Sequence, residues 1–276
     1  MDLLKELDYV SYLKNNPIHE LLGIDLSHYG DIHRKIERSA YETVSNKAYP
    51  NSTELDDLIR LHYLTTSRKV TTVLELGVGK STAVFSHALS KNKENYQDYV
   101  TQNLRRSNPF ECHSVDNNQD WVDAVKSDYK DLDNIHYHLC ECHVGHINSR
   151  ICTFFDGIPN ICPDLIYIDG PDQFSPTGNV RGLSTNHPDR MPMSGDIIAI
   201  EHFLTPGTLI VIDGRTANAR FLKANLQRNW LYYHSQEYDQ HYFELMETPL
   251  GIYNQKQIDF CLGKDWINQQ TFKRKV

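Results

Sequence analysis

The segment Val73-Leu-Glu-Leu-Gly-Val-Gly-Lys-Ser-Thr82 sets two glycines after a short apolar run, with a carboxylate before them and hydroxyls behind. Glycines at that spacing let a backbone turn approach a ligand closely, because any side chain would intrude. Three kinds of ligand suit such a turn. A P-loop needs another glycine five positions before Gly79, where Leu74 stands, so the loop is too short to wrap phosphates. A dinucleotide fingerprint accommodates Gly77, Gly79 and, less well, Thr82 at its third position. Against it, Glu75 puts a carboxylate where a pyrophosphate wants backbone N–H groups. A cofactor carrying positive charge makes the same carboxylate favourable.

Three further acids follow apolar runs: Asp116 after Glu111-Cys-His-Ser-Val115, Asp169 after Asp164-Leu-Ile-Tyr-Ile168, and Asp213 after Gly207-Thr-Leu-Ile-Val-Ile212. Asp116 suits ribose hydroxyls, although it lies farther along the chain than the usual distance of about 20 residues. Asp169 and Asp213 are candidates for the reacting centre, with Arg215 beside them as a catalytic or substrate-binding cation, or as their salt-bridge partner. Asp213 reads equally as a turn residue capping the next helix. The stretch 171–195, rich in proline and glycine, reads as a substrate lid, with Asp172, Gln173, Arg181 and His187 as polar contacts. His202, beside Glu201 on an expected helix from Ser194 to Leu204, reads as a base or as a surface residue. His136, His138, Cys140 and Cys142 alternate along one strand face. Four positions along one strand span about 20 Å at ~3.3 Å per residue, too far for one zinc ion. A two-ligand set completed by Cys112 and His113 stays open beside the plainer reading of a reduced strand near a cofactor.

The elements that position these residues alternate. Strands are expected at Val73–Leu76, Glu111–Val115, Asn134–Cys142, Asp164–Ile168 and Gly207–Ile212, with helices at Ser81–Leu89, Trp121–Tyr129 and Thr216–Arg228. A closing strand pair is expected at Leu231–Ser235 and His241–Met246. Polar residues 91–109 read as a solvated insertion that lengthens the path to Asp116. This pattern predicts an α/β fold: a doubly wound, Rossmann-like, mostly parallel seven-stranded sheet in residues 66–276. Residues 1–65 form an N-terminal helical extension, with Asn51-Ser-Thr-Glu54 as a capping box. In such sheets ligands lie outside the carboxyl ends of the strands, where these acids fall.

Glu75-Leu-Gly-Val-Gly-Lys-Ser-Thr82, Asp116 and Asp164-Leu-Ile-Tyr-Ile-Asp-Gly170 together resemble the class I S-adenosylmethionine-dependent methyltransferases. The likeness is to the branch that includes O-methyltransferases of natural-product and surface-sugar pathways, and it spans about residues 55–250. The resemblance implies S-adenosylmethionine as cofactor, held by Glu75, Gly77, Gly79, Ser81, Thr82 and Asp116. Cys140 and Glu141 would flank the adenine, and Asp169 would face the methyl-transfer centre. It also implies a small polar acceptor, with a hydroxyl of a sugar or related metabolite expected. Some relatives set a divalent metal at positions like Asp169 and Asp213, usually with an Asp or Asn after the second. Here Asp213-Gly-Arg215 departs from that pattern, leaving Asp172 as a substitute ligand. Alternatives are an inactive nucleotide-binding or partner-binding module on the same fold and an NAD-dependent oxidoreductase.

The 276 residues fit one α/β unit with an appended helical cap. Mean hydropathy is −0.54 and no apolar run approaches the roughly 18 residues of a membrane span. With 28 Lys and Arg against 36 Asp and Glu, net charge is −8, and no basic block marks a nucleic-acid face. The beginning Met1-Asp-Leu-Leu-Lys-Glu-Leu-Asp lacks a signal-peptide core, and six cysteines read as reduced thiols. The expectation is a cytoplasmic enzyme acting on a small molecule.

Overall fold

Short runs of Val, Leu and Ile without alternation form the middle of the sheet, because both of their faces are covered. The computed structural model of the chain describes residues 3–24 and 55–266. Its elements run α1 (Tyr9–Asn15), α2 (Ile18–Leu21), α3 (Leu55–Ser67), β1 (Thr72–Leu76), α4 (Lys80–Asn103), β2 (Glu111–Asp116), α5 (Gln119–Asp128) and β3 (Ile135–Leu139). They continue with β4 (Cys142–Ile147), β5 (Arg150–Phe155), β6 (Leu165–Ile168), α6 (Gly195–Ile200), β7 (Leu209–Asp213), α7 (Thr216–Asn225), β8 (Trp230–Ser235), β9 (Gln240–Leu245) and α8 (Ile252–Cys261).

Seven strands form one sheet in the order β3-β2-β1-β6-β7-β9-β8. The first five are parallel, and β9 lies antiparallel to both β7 and β8. The expected mostly parallel seven-stranded sheet is what forms. It departs from the usual dinucleotide-binding order 3-2-1-4-5-6 by its antiparallel β9. Strand order reverses between β1 and β6, which is the crevice where open α/β sheets take ligands.

Two apolar layers flank the sheet. One joins Leu61, Leu64, Val84, Phe85 and Leu89 to Val73, Leu165 and Val211; the other joins Ile197, Ala219 and Leu222 to Leu76, Ile168 and Ile212. Leu13 and Ile18 belong to the first layer, so α1, α2 and α3 share the core of the sheet. The expected capping box at 51–54 lies outside the described residues. Among the described residues no helix is long and apolar enough to cross a membrane.

Three differences from the sequence reading have physical causes. The polar stretch expected as an insertion is helix as far as Asn103, because Asn92, Tyr96 and Val100 recur at four-residue spacing and bury one narrow stripe. Val100 and Tyr96 pack on Phe260 of α8 in that stripe. The third strand ends at Leu139, and residues from Cys142 onward turn away as the antiparallel hairpin β4–β5. Its base packs at Gly195, where a Cβ would sit 2.5 Å from the Phe154 ring. Of the expected lid, 171–195, residues 171–194 form no regular element and Gly195 already begins α6, yet the stretch is stitched to this hairpin. Thr177 exchanges backbone hydrogen bonds with Cys142 and Val144, and Thr153 N–H donates to the Met193 carbonyl at 2.8 Å.

Candidate functional site

The turn after β1 is built on a contact between two backbones. Gly77 has φ +106°, and a Cβ there would lie 2.7 Å from the Gly170 nitrogen; one on Gly170 would lie 2.6 Å from the Gly77 Cα. Leu76 carbonyl accepts from both Asp169 N–H and Gly170 N–H, tying the end of β6 onto the end of β1. Gly77 is therefore required by the protein's own packing. Gly79 is different: its backbone is extended, and the nearest atom to an added Cβ is Ser81 Oγ at 3.7 Å. The space over Gly79, at the start of α4, is open.

Beneath the turn Glu75 is fully buried. Its carboxylate accepts from Ser81 Oγ at 2.5 Å, Thr82 Oγ1 at 2.6 Å and Ser114 Oγ at 2.6 Å. Burial pushes its pKa up to about 7, although all three hydroxyls favour the charged form. Thr82 Oγ1 in turn accepts from Gly79 N–H at 3.0 Å, so one chain of hydrogen bonds links the buried acid to the first turn of α4. Glu75, Ser81 and Thr82 thus converge as a support under the turn.

Asp116 ends β2 beside the same turn. One carboxylate oxygen accepts from Val78 N–H at 2.8 Å and the other from Asn118 N–H at 2.9 Å. Asn118 caps α5, and the indole N–H of Trp121 in that helix donates to the Val78 carbonyl. Trp121 nevertheless stays half exposed, an aromatic face beside the turn that the sequence reading missed. Cys140 and Glu141 follow β3 at the same edge: Cys140 N–H donates to the Asp116 carbonyl at 3.1 Å and its thiol to Gly157 at 3.3 Å. Burial raises the Cys140 pKa, which keeps a thiol there.

On the other side of the switch point, Asp169 is 53% exposed at the end of β6. Arg215 reaches across from β7: its Nε lies 3.3 Å from Asp169 Oδ1, and the guanidinium also donates to the carbonyls of Asp169 and Pro171. Asp213 ends β7 in register with Gln240 of β9. Among the described residues, Asp169, Asp213 and Asp172 do not gather as three ligand atoms within 4.8 Å of one another. Asp172 instead accepts from Phe174 N–H at 2.9 Å and shapes its own turn. Gln173 donates to the carbonyls of His187 and Pro188, inside the lid. Arg181 is exposed on the Val180–Leu183 turn at the lid's tip. Ser175 Oγ donates to Asn117 Oδ1 at 3.1 Å, joining the lid to the residue after Asp116.

His202 does not belong to this site. It lies in a 3-10 turn, Glu201–Phe203, at the far end of α6. There the Glu201 carboxylate accepts from the backbone N–H groups of Gln227 and Arg228, just before β8 begins. β8 runs parallel to β7, so its start marks the amino end of the sheet, opposite the glycine turn. His202 is exposed there, the surface residue of its two readings, because α6 packs along one face of the sheet and carries the chain toward its amino end.

No protein-family model matches the chain, and no curated protein matches its sequence. Among solved structures, a methyltransferase of Podospora anserina, PaMTH1, bound to SAH, is similar at 11% identity and a TM-score of 0.40, covering 68% of this chain and 77% of that one. The O-methyltransferase TomG of Streptomyces achromogenes, involved in tomaymycin synthesis and bound to SAM, is similar at 12% identity and 0.36, covering 87% and 90%. An O-methyltransferase of Bacillus cereus in complex with SAH stands at 13% identity and 0.39, covering 84% and 94%. Likenesses this distant assign no chemistry to the present chain.

Proposed function

We propose that the chain transfers a methyl group from S-adenosylmethionine to a hydroxyl oxygen of a small polar acceptor, a sugar or a related metabolite. The observation that carries this reading is the acidic surround of the turn: Glu75 lies below Gly77–Gly79, Asp116 beside it, and nothing crowds a Cβ at Gly79. A diphosphate seated there would meet like charge, whereas a sulfonium and an ammonium would be attracted. The antiparallel β9 also departs from the dinucleotide-binding strand order.

S-adenosylmethionine, when bound, supplies a methyl carbon already activated by a positively charged sulfur. The chain's residues then have three tasks: to seat, to orient and to deprotonate. Gly79 admits the ligand close to the first turn of α4. Asp116 retains lone pairs for ribose hydroxyls while its existing hydrogen bonds fix the Val78 and Asn118 backbone. Asp169 takes the acceptor's proton at its carboxylate, and Arg215 keeps that carboxylate oriented. The stretch 171–194 covers the acceptor and excludes water, with Arg181 as a cation for an anionic substituent.

Calorimetry with S-adenosylhomocysteine and with NAD tests the reading. About one equivalent of S-adenosylhomocysteine is expected to bind, and Gly79→Val is expected to abolish this with a melting temperature within roughly 2 °C of the parent. Binding of NAD alone, or of neither ligand, overturns the proposal.

A further inference from the structure

The opposite end of β2 carries a second concentration of chemistry. Glu111 and His113 sit two residues apart and so share one face of the strand. On the edge strand β3, His136 is in register with His113, and His138 follows it on that face. Glu111 Oε2 lies 3.0 Å from His113 Nε2 and 3.5 Å from His136 Nε2. The three ligand atoms all fall within 4.8 Å of one another.

We propose that Glu111, His113 and His136 form a zinc site that ties β2 to β3. Two ligands about 2.1 Å from a tetrahedral ion are themselves about 3.4 Å apart. The 3.5 Å between His136 and Glu111 matches this, and the 3.0 Å hydrogen bond between His113 and Glu111 has to open by a few tenths of an ångström to admit the ion. Two imidazoles and one carboxylate suit zinc, whereas calcium and magnesium prefer oxygen alone. His113 uses its other nitrogen, Nδ1, toward His138 Nε2 at 3.1 Å. Such an outer partner fixes the tautomer and ring orientation of a ligating histidine. The His113 and His136 rings stack at 4.6 Å, and Asn108 Nδ2 steadies Glu111 Oε2 at 2.9 Å. The His136 side chain is 45% exposed, so the ion enters from solvent and a water completes its shell.

A second group, His234, Asp239 and His241, also gathers. Both nitrogens of His241 are engaged outside that group, Nδ1 with Tyr232 Oη at 3.0 Å and Nε2 with Thr216 Oγ1 at 3.1 Å, whereas His113 Nε2 turns to the carboxylate of its own group. That group is a hydrogen-bonded relay between strands and α7. The site at Glu111 is also separate from the glycine turn, since the five steps of β2 from Glu111 to Asp116 span about 16 Å.

The test uses the full chain, freed of metal by chelator and dialysed against zinc. About one equivalent is retained, and cobalt in its place gives a tetrahedral visible spectrum without thiolate charge transfer. His136→Ala, a change at an exposed side chain, weakens retention at least tenfold with the circular dichroism unchanged. Glu111→Gln does the same, so the result does not hang on one variant. No retention by the parent chain, a thiolate band in the cobalt spectrum, or retention within tenfold in both variants overturns the site.

Discussion

The two sides of the sheet's switch point are made differently. On the β1–β2 side, Glu75, Ser81, Thr82 and Ser114 are locked in one network of short hydrogen bonds, Asp116 holds the Val78 and Asn118 backbone beside it, and all of these acids and hydroxyls but Ser81 are buried. On the β6–β7 side, Asp169 stands half in solvent, and the wall around it is irregular chain from 171 to 194. The first side spends its polar atoms on holding a turn still, as a preorganised ligand seat requires. The second carries its polar groups on exposed, irregular chain, where specificity loops on rigid scaffolds commonly sit.

Substitutions separate the two sides, and their effects on folding should fall in order. Gly77→Ala comes first. A Cβ there meets the Gly170 backbone and the residue must hold φ +106°, so a loss of about 2–4 kcal/mol in denaturant unfolding is expected. A smaller loss than 1 kcal/mol would mean that the two strand ends part easily, and the rigid side would not be rigid.

Glu75→Gln comes next, and its effect depends on pH. The folded-state pKa is raised from 4.5 to about 7, so the stability Glu75 contributes is fully present below the lower value and lost as pH rises through the upper one. Relative to the parent, the glutamine variant should gain on the order of 3 kcal/mol between those limits. Chemical denaturation across that window measures it; parallel curves would mean that Glu75 does not titrate there. A cationic ligand should also draw the proton from Glu75, so that binding tightens as pH rises through 7.

Asp169→Asn should disturb folding least, by under about 1 kcal/mol, because the carboxylate is half exposed and its ion pair is screened. Turnover should nevertheless fall by roughly 10²–10⁴-fold with cofactor affinity kept. Full activity in that variant would move the chemistry away from β6.

Much of this was legible from sequence. Val73–Leu76, Asp164–Ile168 and Gly207–Ile212 announce central strands, because a strand covered on both faces cannot alternate. The turn at Gly77 announces itself by residue type alone. Other parts hide for definite reasons. The second half of α4 buries a stripe of only Asn92, Tyr96 and Val100, too thin to stand out among Lys, Asn and Gln. The alternation from His136 to Cys142 continues unbroken through two strands that belong to different sheets, so nothing local marks the break at Cys140. Of the two readings of His202, a base or a surface residue, the surface residue is the one that forms, because residue type carries no direction along the sheet. Roughly ten residues of helix advance about 15 Å, about the length of a strand in this sheet, which carries His202 to the opposite end. The Glu111–His113–His136 group needed the β2–β3 register, which no single strand contains.

The two seams between the irregular stretch and the β4–β5 hairpin, at Thr177 and at Met193–Ser194, set how far that stretch can travel. Between those seams residues 178–192 form no helix or strand, a span held at both corners like a drawbridge. A protease that severed the chain near Gly182 would leave both cut ends tethered, and the nicked molecule would keep its shape while losing the crossing.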